Sequence, residues 1–271
     1  MPPVFAGSLE LRKLPFQGPG RRIRRAAIYL PPGYHDEARR YPVLYLHDGQ
    51  NLFDPSSAFL GHDWGLGQAA DELIENGCIE PLIIVGVYNS GRSRIAEYTP
   101  VPGAQRRGGR AEAYGRFIAE ELKPFIDNQY RTQPQREHTG LGGSSLGGLV
   151  TLHLGLKYPQ TFSKLAVMSP SVWWANRAIL DEVRALPRKL DAKIWLDIGA
   201  CEGSKPQSSV DDVIALRDAL IQKGWRLGSD LAFLCEPGAE HNEAAWGRRM
   251  RHALPFLYPA GPVPVTPLPV A

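Results

Sequence analysis

The sequence predicts an α/β fold, a mostly parallel sheet of eight strands with helices on both faces. Three observations carry that expectation. Eight short runs either alternate apolar with polar residues or are apolar throughout, the pattern of strands covered on one face or on two. From the third run onward, strand-like runs and amphipathic segments of helix length alternate along the 271 residues. The stretches "PLIIVGVYN" (81–89) and "KLAVMSP" (164–170) are apolar on both faces, as the centre of a parallel sheet requires.

The first two runs, Ser8–Leu14 and Ile23–Leu30, alternate and are joined by a turn, so they predict an antiparallel start. Val43–His47, Leu82–Val87, Glu137–Leu141, Ser163–Met168, Lys193–Ile198 and Asp230–Cys235 supply the parallel body. Helices are expected near Asp63–Glu75, Ala111–Asn128, Leu146–Tyr158, Arg177–Leu186, Val210–Lys223 and Asn242–Phe256. With 43% hydrophobic residues the chain can bury a large core, and its length fits one domain over residues 1–260. Residues 261–271 alternate proline with small apolar residues and read as an extended tail.

A formal charge of +3 is spread along the chain and argues against a nucleic-acid partner. The local cluster Arg21, Arg22, Arg24 and Arg25 reads as the solvated face of an edge strand, and Arg106, Arg107 and Arg110 as solvated loop cations. Cys78, Cys201 and Cys235 are odd in number and lack C-x-x-C spacing, which predicts neither a disulfide framework nor a zinc site and makes a reducing, cytoplasmic setting the default. No basic segment followed by a long apolar one opens the chain, and no apolar run has bilayer-spanning length, so a membrane partner is not expected.

The chemistry concentrates at "GLGGSSLGGL", residues 140–149, between a strand and a helix. It contains G-x-S-x-G centred on Ser145, in the strand-turn-helix setting that gives the pattern meaning. Such a turn strains its central residue, so the positions two before and two after should be nearly free of side chain. Gly143 and Gly147 meet that demand around Ser145, whereas Ser144 would have Leu146 in the second flank. A helix amino end also favours negative charge developing there. A dinucleotide fingerprint would need glycine at 145, and no P-loop lysine follows, so no organic cofactor is expected.

A serine hydroxyl needs a base, and histidine has the ordinary pKa for it. Among the seven histidines, His241 stands in the loop after the last strand, in "LCEPGAEHNEAAWGRR". His47, His153 and His252 read as packing residues, and no pair has metal-ligand spacing, so no metal is expected. For the acid, Glu202 lies on the loop after "KIWLDIG", and Asp197 inside that strand is its rival. Asp211 and Asp212 read as acids of a helix first turn. Backbone amides of Leu146 and of Gln50, with Gly49 next, are placed to receive an oxyanion. Asn89, Arg94, Trp173 and Trp174 follow strand carboxyl ends and are candidate substrate contacts. Arg94 is expected to meet a substrate carboxylate or to pair with Glu97 or Glu240.

Together "YPVLYLHDGQNLFD", "IIVGVYNSGRSRIAEYTP", "GGSSLGGLVTLHLGLKYPQTF", "MSPSVWW", "DIGACEG" and "GAEHNEAAWGRR" resemble the esterase family of α/β hydrolases. That family includes enterobactin-type siderophore esterases, S-formylglutathione hydrolases, feruloyl and acetyl-xylan esterases, and mycolyltransferases. The resemblance implies the α/β-hydrolase fold and a small-molecule ester substrate, short-acyl, feruloyl-type or siderophore-type. It also implies Ser145 as nucleophile, His241 as base, Glu202 as acid, and Gln50 and Leu146 as oxyanion donors. Many relatives carry aspartate at the position of Glu202. Acyl transfer to an alcohol would use the same residues, and a carbohydrate-binding or regulatory protein on the same fold would use none of them as a nucleophile.

Overall fold

A computed structural model describes residues 5–16, 22–104 and 107–261. The expected tail from residue 262 onward, Arg21 and Arg106 lie outside the described residues. The strands are β1 (Ser8–Phe16), β2 (Arg22–Leu30), β3 (Val43–His47), β4 (Ile83–Val87), β5 (Thr139–Ser144), β6 (Lys164–Met168), β7 (Lys193–Gly199) and β8 (Leu231–Glu236). They form one sheet in the order β1-β2-β4-β3-β5-β6-β7-β8. β1 and β2 run antiparallel with Ser8 opposite Leu30, β2 is antiparallel to β4, and every later pairing is parallel.

The helices are α1 (Leu66–Glu75), the single turn α2 (Arg94–Glu97), α3 (Ala111–Arg116), α4 (Lys123–Gln129), α5 (Leu146–Lys157), α6 (Ala178–Arg184), α7 (Pro206–Lys223) and α8 (Glu243–Leu257). Side chains alternate across the sheet as a period of two requires. Val43 and Tyr45, Ile83 and Val85, and Ile194 and Leu196 enter the layer beneath α3 to α7. Leu44, Leu46, Ile84 and Trp195 enter the opposite layer, packed on α1 and α8. Among the described residues, no helix is long and apolar enough to cross a membrane.

Four boundaries or environments depart from expectation for physical reasons. β5 begins at Thr139 and runs on to Ser144, because Arg136–His138 form a separate 3-10 turn and the glycines are strand rather than turn. A Cβ on Gly142 would stand 2.8 Å from both the Ala166 Cβ and Leu46 Cδ2, so the neighbouring strands close over a residue without a side chain. The helix expected over 111–128 is interrupted by a wide turn at Phe117–Leu122 between α3 and α4. α7 starts at Pro206, a favoured first position, which moves Asp211 and Asp212 out of the first turn.

The arginine cluster on β2 is not uniformly solvated. Arg25 is exposed, but Arg24 is buried and donates through Nη1 and Nη2 to the two carboxylate oxygens of Glu97, both at 2.9 Å. Its guanidinium also lies over the rings of Tyr114 and Phe117. Position 24 shares the inward face of β2 with Ala26 and Ile28, so the strand period buries it together with its charge partner.

Candidate active site

Ser145 sits between β5 and α5 with φ 61° and ψ −122°, a positive-φ conformation that a serine adopts only under constraint. Its amide donates to Met168 O at 3.0 Å and its carbonyl accepts from Ser171 N at 3.1 Å, so β6 and the loop after it hold the turn. The close packing falls on a different glycine from the one the spacing singles out. A Cβ on Gly147 would make ordinary contacts, 3.5 Å to His47 Cβ, whereas one on Gly148 would stand 2.6 Å from Met168 O. One on Gly143 would come within 3.1 Å of His47.

His241 precedes α8, whose N-cap Asn242 accepts from Ala245 N at 2.9 Å. The imidazole Nδ1 lies 2.6 Å from Glu202 Oε2, and the ring meets Trp246 edge-on at 4.8 Å. With Nδ1–H donating to Glu202, Nε2 is the basic nitrogen. The two loops are tied together: Ala200 N donates to Glu236 O and Cys201 N to Ala239 O, both at 2.9 Å. A Cβ on Gly199 would stand 2.4 Å from Ala239 O, so this approach requires glycine.

Glu202 is buried, and its other oxygen, Oε1, accepts from Ser169 Oγ at 2.6 Å, from Gly199 N at 2.7 Å and from Arg249 Nη2 at 3.1 Å. Burial pushes the carboxyl up. The bonds from His241, Ser169 and Gly199 outweigh it and hold Glu202 below the ordinary glutamate range. Asp197, the rival acid, makes no contact with His241. Its Oδ1 accepts from Ser169 N at 3.1 Å and lies 3.0 Å from Arg249 Nε, and its Oδ2 accepts from Trp195 Nε1 at 2.7 Å. Burial raises Asp197 to about 6, with Arg249 shared between it, Glu202 and Glu236.

Ser169 and Arg249 were not singled out from sequence. The Ser169 hydroxyl donates to Glu202 and accepts from Trp246 Nε1 at 3.0 Å and Arg249 Nη2 at 2.7 Å, using all of its hydrogen-bonding capacity. Arg249 has no exposed surface. A readable signal existed: position 249 repeats with buried Trp246, Met250 and Ala253 on the inward stripe of α8.

A cavity of about 210 Å³ brings Ser145 and His241 together, with Ser169, Ser171, Trp173, Glu202, Ser209 and Asp212 among its walls. The Ser145 hydroxyl is 3.4 Å from Ser171 Oγ and makes no hydrogen bond to His241; in ligand-free sites such nucleophile–base bonds are commonly long and tighten around substrate. Trp173 lines this cavity with 59% of its surface exposed. Trp174 does not: its indole donates to Val101 O at 2.8 Å and packs against Gly103 and Gly108.

Beside the elbow, Asp48 adopts a left-handed conformation (φ 56°) and starts the 3-10 turn Gly49–Asn51. Gly49 lies flat on β4, where a Cβ would be 2.1 Å from the Gly86 carbonyl. Gln50 stays in place through its side chain, whose Oε1 accepts from Asn89 N at 3.2 Å. Among the described residues, no acceptor takes the amide of Gln50 or of Leu146. Arg94 pairs with neither expected glutamate. Its Nε and Nη2 donate to Asp48 Oδ1 and Oδ2 at 2.8 and 2.6 Å, and Asn89 Nδ2 donates to Asp48 Oδ1 at 2.7 Å. Asn89 and Arg94 therefore brace the loop rather than line the cavity. His47, buried on β3, bonds Tyr114 at 2.8 Å and is pushed down to about 3 by burial, in keeping with a packing role.

The sequence profile of the family described as "Putative esterase" matches residues 19–257. The chain is 27% identical over 245 residues to the uncharacterized protein YbbA of Bacillus subtilis, covering 87% of this chain and 92% of that one. It is 28% identical over 250 residues to the ferri-bacillibactin esterase BesA of the same organism, covering 82% and 81%. The fold superimposes on the crystal structure of the BES protein from Bacillus cereus with a TM-score of 0.73 at 23% identity, over 94% of this chain and 96% of that one. The chain belongs to this esterase family and is a carboxylic ester hydrolase with the α/β-hydrolase fold.

Proposed function

We propose that the enzyme hydrolyses small-molecule esters through an acyl-enzyme, with Ser145 as nucleophile, His241 as general base and Glu202 as the acid that orients it. The observation that carries the reading is one cavity lined both by Ser145, at positive φ, and by a histidine whose Nδ1 is held at 2.6 Å by a buried carboxylate. Ser145 Oγ attacks the ester carbonyl carbon while His241 Nε2 takes its proton. The bond to the alcohol oxygen then breaks, and His241 returns the proton to the departing alcohol. Water repeats the sequence on the acyl-enzyme, releasing the carboxylic acid and restoring the serine hydroxyl.

The amides of Gln50 and Leu146 receive the negative charge of each tetrahedral intermediate, and the amino end of α5 adds to that stabilisation. Glu202 remains ionised because its hydrogen bonds offset its burial, so it steadies the imidazolium formed in each half-reaction. Short-acyl, feruloyl-type and siderophore-type esters are the candidate substrates. A cavity of about 210 Å³ favours a short group beside Ser145, with any larger portion lying outward across Trp173.

Labelling with a serine-directed fluorophosphonate followed by peptide mapping tests the assignment. Adduct at Ser145, lost when His241 is replaced by alanine, is the expected result. Adduct at another serine would overturn the nucleophile.

A further inference from the structure

Asp212 belongs to the wall of the Ser145 cavity, on the second turn of α7, with Ser209 three residues before it on the same face. Only 5% of the residue is exposed. Its charge partner is Arg177, whose Nη2 lies 2.5 Å from Oδ1. Neither oxygen accepts a hydrogen bond from a described residue: Oδ1 is fully enclosed with only the Arg177 ion pair, whereas Oδ2 keeps some accessible surface. A carboxylate oxygen can accept about two hydrogen bonds, so an accessible one is free to take a donor from a ligand. Here that capacity belongs to a residue that walls the cavity holding the candidate nucleophile.

Arg177 is itself held unusually. Ala175, Asn176 and Arg177 are three consecutive non-glycine residues in the left-handed region, with φ of 48°, 57° and 63°. This conformation is costly and persists only where its surroundings fix it. It carries the chain from Trp173, on the cavity rim, to Arg177, which closes the loop onto α7 through Asp212. The pair is neutral overall, so a neutral O–H donor meets the carboxylate without bringing a further charge into the cavity. The remaining walls suit the same ligand: hydroxyls of Ser171 and Ser209, and the apolar face of Trp173.

We propose that Asp212 is a specificity-determining residue that accepts a hydrogen bond from a hydroxyl on the substrate close to the scissile ester. The preferred substrates are then short, neutral, hydroxyl-bearing esters rather than their deoxy counterparts. This inference rests on the reading of Ser145 as nucleophile.

Two matched pairs test it: p-nitrophenyl 3-hydroxybutyrate against p-nitrophenyl butyrate for the acyl side, and glyceryl monobutyrate against propyl butyrate for the alcohol side. The readout is the ratio of kcat/KM within each pair, from which the fraction of folded enzyme cancels. In the native enzyme at least one ratio should favour the hydroxylated ester about ten-fold or more. In Asp212→Leu that ratio should fall to about one, and in the volume-conserving Asp212→Asn it should fall about three-fold or more. Ratios near one in both pairs for the native enzyme, or a ratio unchanged by both substitutions, would overturn the inference. Ser145→Ala separates it from the reading beneath it. If that variant is inactive and the ratios are near one, only the role of Asp212 falls. If it still cleaves the butyrates, the nucleophile and the inference fall together.

Discussion

Arg249 Nη2 donates to Glu202 Oε1 at 3.1 Å from a position with no exposed surface, and the same guanidinium lies within 3.2 Å of Asp197 and Glu236. One cation thus holds three carboxylates on the carboxyl side of β7 and β8. Removing a member of a buried ionic cluster leaves the others uncompensated, which costs more than the cluster contributes as a whole. Arg249→Met should destabilise the fold by about 3–5 kcal/mol, measured by urea denaturation. A loss below about 1 kcal/mol would place the cluster's energetics elsewhere.

Glu202→Gln keeps the volume but removes the charge that fixes Nδ1–H of His241. A fall in kcat of roughly 10²–10⁴ with little change in KM is expected in steady-state hydrolysis of p-nitrophenyl acetate. Asp197→Asn touches no atom of His241 and should lose far less. If the two substitutions had the reverse order of effect, the acid would be Asp197.

The two acids also give opposite pH signatures. Asp197, raised from 3.8 to about 6, holds a proton in the folded state that the unfolded chain releases. Its contribution to stability is therefore present below about pH 4 and is lost as pH rises toward 6. Glu202 is held below its ordinary 4.5, so its contribution is present above that value and is lost as pH falls beneath it. Urea midpoints between pH 4 and 7 should therefore decline more steeply in the native protein than in Asp197→Asn. Parallel curves would contradict the raised Asp197.

Gly148→Ala should cost about 1–3 kcal/mol, because the new methyl group meets the Met168 carbonyl at 2.6 Å and backbone must move. Gly147→Ala meets only ordinary contacts and should be nearly neutral when both variants are compared by urea denaturation. Equal losses at both positions would show that the elbow relaxes differently.

The strands were legible because each carries a period-two or fully apolar pattern, and the meeting of Glu202 with His241 at one cavity with Ser145 because loops at strand carboxyl ends are ordered along the chain. Gly142 and Gly143 fall beyond the strand expected to end at Leu141 although both belong to β5, since a strand without side chains leaves no pattern. The partner of Arg94 was missed because Asp48 lies 46 residues away, and only the adjacency of β3 and β4 brings the two together. Arg24 and Arg249 could have been found: each occupies an inward position of its own strand or helix, where charge is placed only with a partner.

A nucleophilic Ser145 cannot lose its hydroxyl without losing the acyl-enzyme. The most direct measurement is kcat/KM for p-nitrophenyl acetate in Ser145→Ala beside Ser144→Ala, at pH 7.5 with both variants confirmed folded by circular dichroism. The account predicts a loss of at least about 10³-fold in Ser145→Ala and a change of less than about ten-fold in Ser144→Ala. Retention of most activity by Ser145→Ala would contradict it.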